Sequence, residues 1–275
     1  MKSKVFLIYA ETELHAGKGM DIGVVDLPIQ RERTTKFPII QGIKGALRAN
    51  INDNKLDKEK IFGSEPGEGQ ETKPGTVAFS EARILLFPVR NPEKLFVWVT
   101  CPLVLIRFLK NFERKDLIKS IENTQISDSK AGTLDDQSSI WIEDIKLSAQ
   151  KFDWLSDFAG KLSAQTNDTD YIKNKLKKDV VVVSDNVFSQ IVETMTNVIP
   201  RVRINHEKGI VETGALWYEE YLPQDTIMYF IARETVYSKE NELDLLEEIL
   251  KDRVISVGGK ETLGKGLVSL KVVNL

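Results

Sequence analysis

The stretch Gly258-Gly259-Lys260-Glu261-Thr262-Leu263-Gly264-Lys265-Gly266, running straight into a β-branched strand that ends near Val273, decides the fold. Four glycines in nine positions let backbone N–H groups approach an anion closely, and two lysines add charge. The loop has neither the Walker A spacing nor the dinucleotide fingerprint: no Lys-Ser/Thr follows the glycines, and a strand comes next where those motifs need a helix. A plain turn accounts for one or two glycines. Four with two lysines point to contact with a phosphate or a nucleic-acid backbone.

Working back from this loop, a helix is expected over 240–251 and a strand over 226–233. At the other end a strand spans 5–10, a short amphipathic helix 42–52, and long strands 76–89 and 95–101, with Asn91-Pro92 turning between them. Pro102 opens a helix with Leu103, Ile106 and Leu109 on one stripe. Residues 112–179 are more polar and read as a helical insertion, and Lys173, Lys175, Lys177 and Lys178 read as a solvated helix face. A short strand follows at 180–183. The alternating segments 201–204 and 210–213, joined by His206-Glu207-Lys208-Gly209, read as a projecting β-hairpin. Single helices between strands and runs of adjacent strands imply an α+β fold with a ferredoxin-like (RRM-like) core, the helical insertion and the hairpin. No repeat of fixed period is present.

Lys plus Arg total 38 against 41 Asp plus Glu, a net charge of −3 over 275 residues. That excludes a bulk-basic coat for nucleic acid but not a local basic groove. Cys101 is the only cysteine, so neither an intrachain disulfide nor a cysteine-rich zinc site is possible. With His15 and His206 the only histidines, a His-dominated metal site is disfavoured, while carboxylates with phosphate oxygens remain able to hold a metal. Met1-Lys2-Ser3-Lys4 enters an apolar run too short for a signal peptide, and the run 95–106 is broken by Thr100 and Pro102. The expectation is a cytoplasmic protein with no membrane segment.

Several groups have residue types suited to chemistry on RNA. Lys44 and Arg48 lie four apart on one helix face, opposite Ile43 and Leu47, while Gly42 and Gly45 allow close approach near the helix start. His15 and Asp26 bracket a glycine-rich loop; a carboxylate there can act as a base or hold a metal, or simply form an Asx turn. In Trp217-Tyr218-Glu219-Glu220-Tyr221-Leu222-Pro223, aromatics beside carboxylates can stack bases and place protons, though strand packing with the acids facing solvent is the simpler reading.

Taken in order, these pieces resemble the RAMP superfamily of CRISPR proteins, which carries a C-terminal glycine-rich loop on a ferredoxin-like fold. The stretches Leu14-His15-Ala16-Gly17, Gly23-Val24-Val25-Asp26-Leu27-Pro28-Ile29-Gln30-Arg31-Glu32 and Phe62-Gly63-Ser64-Glu65-Pro66-Gly67 narrow the resemblance. So do Ala82-Arg83-Ile84-Leu85-Leu86-Phe87-Pro88-Val89-Arg90, Val97-Trp98-Val99-Thr100-Cys101-Pro102 and Thr213-Gly214-Ala215-Leu216-Trp217-Tyr218-Glu219-Glu220. They look like the backbone subunit of a type III-B (Cmr) effector complex, from residue 4 to the end and least across 112–179.

The resemblance implies a palm from 1–111 and 222–275, the insertion at 112–179 and a thumb hairpin at 180–221. It implies copies stacked in a helical filament along a CRISPR guide RNA beside other Cmr subunits. It further implies that the thumb distorts the guide–target duplex and that target RNA is cut there in a divalent-metal-dependent reaction, with Mg²⁺ the expected ion. The family's catalytic and metal-holding aspartate falls on Asp26, and its accessory pocket positions on His15, Glu219 and Tyr221. Guide contacts fall on Gly42, Lys44, Gly45, Arg48, Gly258, Gly259, Lys260, Thr262, Gly264, Lys265 and Gly266. One motif departs: Gln41-Gly42-Ile43-Lys44-Gly45-Ala46-Leu47-Arg48 is two residues shorter than the family's first-helix motif and lacks its serines, although Lys44 and Arg48 remain.

Three other readings fit the same residues: a non-catalytic guide scaffold, a CRISPR RNA-processing RAMP endonuclease that needs no metal, and a phosphate-binding module unrelated to RNA.

Overall fold

The computed structural model describes residues 1–51, 56–65, 72–166, 169–205, 207–239, 241–251 and 253–275. The chain begins with β1 (Ser3–Ala10), β2 (Ile39–Ile40), α1 (Ile43–Asn50), α2 (Lys58–Phe62), β3 (Val77–Phe79), β4 (Ala82–Asn91) and β5 (Leu95–Thr100). It continues through α3 (Pro102–Leu109), α4 (Lys115–Glu122), β6 (Lys130–Thr133), β7 (Ser139–Ile142), β8 (Ile145–Lys151), α5 (Asp153–Ala164) and α6 (Asp170–Leu176). The last part holds β9 (Val180–Val182), α7 (Asp185–Thr194), β10 (Asn197–Asn205), β11 (Ile210–Tyr221), β12 (Ile227–Glu234), α8 (Glu242–Leu250), β13 (Val254–Ser256) and β14 (Leu267–Val273).

One mixed sheet organises the described residues, in the order β13-β14-β1-β12-β4-β5-β9-β6-β8-β7, with β2 added to β4 and β3 to β12. β1 lies between β12 and β14, antiparallel to both, and is buried from Val5 onward. A strand covered on both faces needs an unbroken apolar run, which Val5-Phe6-Leu7-Ile8-Tyr9 supplies. Phe6 faces Phe230 across the pair, and their rings stack at 5.0 Å. Apolar residues at helical spacing bury α1 through Ile43 and Leu47, and α8 through Leu243, Leu246, Ile249 and Leu250. Among the described residues no helix is long and apolar enough to cross a membrane.

The expected strand over 76–89 is two strands. Ser80 interrupts it: its N–H donates to the Ile231 carbonyl at 2.9 Å and its Oγ accepts the Ile231 N–H at 2.9 Å. A side chain that replaces a ladder bond lets β12 pair with β3 on one side of the break and β4 on the other.

Residues 112–179 are not an all-helical insertion. They contribute β6, β7 and β8 to the large sheet along with their helices, β6 pairing in parallel with β8 and bridging to β9. These are short strands, with β7 at the sheet edge, and their buried Ala131, Ile140, Ile142 and Leu147 are interrupted by Lys, Ser, Gly and Trp rather than forming an apolar run, so apolar content alone hides them. Gly132 is needed here: a Cβ on it would lie 2.1 Å from the Phe152 ring. Lys175 is buried rather than solvated, donating to the Lys94 and Phe96 carbonyls and to Asp179.

Only 197–221 of the region expected as hairpin forms one. β9 joins the main sheet in parallel with β5, and Ser184 caps α7 by accepting the Val187 N–H at 3.2 Å. β10 and β11 pair solely with each other apart from their base, with a register shift between Val202 and Ile204. Both strands run further than the alternating segments suggest. His206 at the turn, Asn52 and Glu240 at expected helix ends, and Pro66-Gly67 lie outside the described residues.

Candidate functional site

Three segments meet at the hairpin base. The loop after β1 bridges through Leu14 to Leu222, the residue that follows β11, and through His15 to Gly259 of the glycine-rich loop. Leu27 bridges to Glu219. His15, Asp26, β11 and the loop at 258–266 are therefore brought together at the hairpin base from distant parts of the chain.

The glycine-rich loop owes its composition to this packing. Gly258 has φ +88°, and a Cβ there would lie 2.6 Å from the His15 carbonyl oxygen. Gly266 has φ +83° with a Cβ position 2.5 Å from the Val257 carbonyl oxygen. Only glycine fits both the backbone and the space. The Gly259 N–H donates to the same His15 carbonyl at 2.8 Å. Thr262 and Gly264 sit on an exposed short turn.

The two loop lysines are not free cations. Lys260 donates to Glu219 Oε1 at 2.5 Å. Lys265 is paired with Glu13 and lies 5.3 Å from the Tyr221 ring centroid. On α1, Arg48 donates to the Gly63 carbonyl at 2.9 Å and pairs with Glu65, so it ties down the segment after α2. Lys44 is exposed, beside Gly42 and Gly45 on the open side of the helix, and no partner to it stands among the described residues. The expected basic groove thus contracts to Lys44 and exposed backbone unless those pairs open.

Glu219 and Glu220 do not face solvent, contrary to the simpler sequence reading; they are 1% and 5% exposed. Glu219 Oε1 accepts from Trp217 Nε1 at 2.9 Å and from Lys260, while Oε2 accepts from the Tyr221 hydroxyl and from Arg201 Nε at 3.3 Å. A carboxylate has about four lone-pair sites, and all are in use. Burial opposes its charge, but the bonds from Lys260, Tyr221 and Trp217 outweigh that, holding the carboxyl down at about 2. Burial and the adjacent Glu219 charge push the Tyr221 hydroxyl up, so it remains a phenol. Glu219 therefore pins the hairpin base to the glycine-rich loop and has no lone pair to spare for a proton or a metal.

His15 is buried under this cluster, its ring 5.3 Å from that of Tyr221. Its Nδ1 lies 2.7 Å from the Glu220 carbonyl, which can only accept, so Nδ1 carries a proton and donates there. A Cβ on Gly17 would stand 2.8 Å from Nε2, which explains the glycine.

Asp26 is separate from this knot. Its Oδ2 accepts the Tyr218 N–H at 2.7 Å, so it is held by the hairpin rather than by an Asx turn. It lines an open groove with Met20, Leu27, Arg203, Glu212 and Trp217. Arg203, 70% exposed at its side chain and 3.6 Å from Glu212, is the cation of that groove. Among the described residues no three His, Cys, Asp or Glu side chains converge on a metal position. Asp26 has its Oδ1 without a hydrogen bond among the described residues, so one carboxylate oxygen is available and the remaining ligands would come from phosphate and water. That set suits Mg²⁺, which keeps much of its hydration and is often held by one or two carboxylates and substrate phosphates.

Sequence reasoning missed Arg31, which pairs with Glu220, as well as Arg201 and Arg203, and it turned Glu220 to solvent. The alternation Arg201-Val202-Arg203 was the available signal for two of them.

The family model for the RAMP superfamily matches residues 7–269. The CRISPR system Cmr endoribonuclease Cmr4 of Pyrococcus furiosus is 38% identical over 288 residues, covering 98% of this chain and 95% of that protein. A crystal structure of oligomeric Cmr4 from the same organism superposes with a TM-score of 0.73 at 27% identity, covering all of both chains. A chain in the type III-B Cmr-beta complex bound to cognate target RNA has the same fold, with a TM-score of 0.78 at 23% identity over 99% of this chain and 97% of that one. The chain belongs to the RAMP superfamily and, within it, to the family of Cmr4 subunits.

Proposed function

We propose that this chain is a guide-RNA-binding backbone subunit of a type III-B CRISPR effector complex in the cytoplasm, stacked on further copies of itself and other Cmr subunits, and that it cleaves guide-paired target RNA. The order β14-β1-β12-β4, with α1 and α8 as crossover helices, supports a ferredoxin-like core, and the β10–β11 hairpin supports the thumb reading. The observation that carries the function is Asp26, fixed by one oxygen to the base of a projecting hairpin and lining an open groove.

In-line attack by a 2′-hydroxyl needs the sugar and phosphate turned out of A-form geometry, and a strand pair inserted into a duplex supplies that distortion. The hairpin's exposed Val198, Val202, Ile204, Ile210, Val211 and Leu216 give it an apolar surface on which bases can lie. Asp26 at its base then stands beside the distorted step, receiving the 2′-hydroxyl proton or holding the divalent ion, as the 2′-oxygen bonds to phosphorus and the 5′-oxygen leaves with a proton from water, giving a 2′,3′-cyclic phosphate and a 5′-hydroxyl. When bound, that ion neutralises charge on the phosphorane. Arg203 adds positive charge in the same groove. Lys44 and the exposed backbone at Gly42, Gly45 and Thr262 face the guide.

The test is purification of the assembled complex, sequencing of its bound RNA, and incubation with a complementary target. Regularly spaced cuts that vanish in EDTA are expected. Absence of bound RNA, or equal cutting in EDTA, would overturn the reading.

A further inference from the structure

We infer that Glu220, braced by Arg31, is a positioning residue for Asp26. The inference rests on the assignment of cleavage to Asp26.

Glu220 touches every segment that determines where Asp26 sits. Its backbone N–H donates to the Leu27 carbonyl at 3.0 Å, and its carbonyl accepts from His15 Nδ1 at 2.7 Å. Its side chain accepts the Ile29 N–H at 3.0 Å on Oε2, with Thr196 Oγ1 at 2.7 Å and the Arg31 guanidinium at 2.5 Å on Oε1. Arg31 reaches on to the carbonyls of Val192 at 2.7 Å and Lys36 at 2.9 Å. The carboxylate thereby ties Ile29, just downstream of Asp26, to Thr196 and Arg31 and through Arg31 to the end of α7, while the Glu220 backbone holds Leu27 and His15 to the hairpin strand.

The upstream side of Asp26 has no equivalent hold. Residues 18–24 are exposed, with Met20, Ile22 and Val24 among the most exposed side chains in the protein. Among the described residues, only the Lys18 N–H to the Pro28 carbonyl and the Asp21 N–H to the Asp26 carbonyl close that loop through its backbone. The Asp26 carboxylate is thus placed by its bond to Tyr218, by the Leu27 N–H donating to the Tyr218 carbonyl at 3.0 Å, and by Glu220, whose backbone holds Leu27 and whose side chain holds Ile29.

The chemistry of the pair makes the clamp sensitive to charge. A glutamine in place of Glu220 has one acceptor oxygen and an amide NH₂, which must face either the Ile29 N–H or the donors Arg31 and Thr196. One side of the clamp opens, and a near-attack geometry does not survive a shift of about 1 Å without a large rate cost.

The experiment compares assembled complexes carrying unchanged chain, Glu220→Gln, Arg31→Lys or Asp26→Ala. At equal concentration of complex it reads single-turnover cleavage at saturating complementary target, target affinity and melting temperature. Expected for Glu220→Gln is a fall of about tenfold to a hundredfold in the cleavage rate with target affinity unchanged, while Asp26→Ala is inactive. An unchanged rate for Glu220→Gln beside an inactive Asp26→Ala would overturn the positioning role alone. Cleavage by Asp26→Ala would remove the reading beneath it. Parallel loss of affinity and rate would make Glu220 part of the binding scaffold and also overturn the inference. Should Glu220→Gln not assemble, Arg31→Lys, which keeps the charge and loses the fork to Val192 and Lys36, carries the same expectations.

Discussion

Asp26 Oδ2 accepts a hydrogen bond from the backbone N–H of Tyr218 at 2.7 Å, across 192 residues of sequence. The candidate cleaving carboxylate is therefore fastened to the strand that projects from the body. Its neighbour on that strand, Glu219, is turned into a saturated buried cluster and serves as an anchor.

That division of labour has a consequence for stability. Glu219→Gln removes the charge on which Lys260, Tyr221, Trp217 and Arg201 converge, and should lower stability by about 2–3 kcal/mol. The carboxyl is held at about 2, below its ordinary 4.5. A depressed carboxylate stabilises the fold above its unfolded value and loses that contribution as pH falls through the folded one. The gap between the two proteins should stay constant above 4.5 and close toward 2, as measured by denaturant unfolding across pH.

Gly258→Ala forces a Cβ to within 2.6 Å of the His15 carbonyl at a φ of +88°. The expected cost is about 1–3 kcal/mol, read as a lower melting temperature. Gly264→Ala has a positive φ but nothing within 4 Å of its Cβ, so the strain is backbone only and the loss should be smaller.

The two cations of α1 should separate by assay. Lys44→Ala is expected to weaken guide RNA binding and reduce the salt slope by about one without moving the melting temperature. Arg48→Ala releases Gly63 and Glu65 and should lower the melting temperature more than it lowers RNA affinity. Isothermal binding at several salt concentrations, with thermal unfolding, checks both.

Much of the fold was legible because the buried strands are long and apolar: β1, β5 and β12 follow directly from their β-branched runs, and α1 buries the expected Ile43 and Leu47. The strands β6 to β8 were hidden because each is short and mixes its few apolar residues with Lys, Ser, Gly, Thr or Gln, leaving too few apolar positions to read a period of two. The site was legible as residue types and illegible as pairings. Nothing local says that Lys260 belongs to Glu219 or Lys265 to Glu13, which lie 41 and 252 residues apart. The fold makes those partners, and they convert a loop that reads as cationic into one that is internally neutralised. Glu220 was misread for the same reason, since its ligands come from Ile29, Arg31 and Thr196.

The most direct measurement is single-turnover cleavage of guide-paired target by the assembled complex carrying Asp26→Asn. The asparagine oxygen still accepts the Tyr218 N–H, so the loop keeps its place while the negative charge is lost. The account predicts no cleavage, with guide content and target binding unchanged. Cleavage at the unsubstituted rate would contradict it.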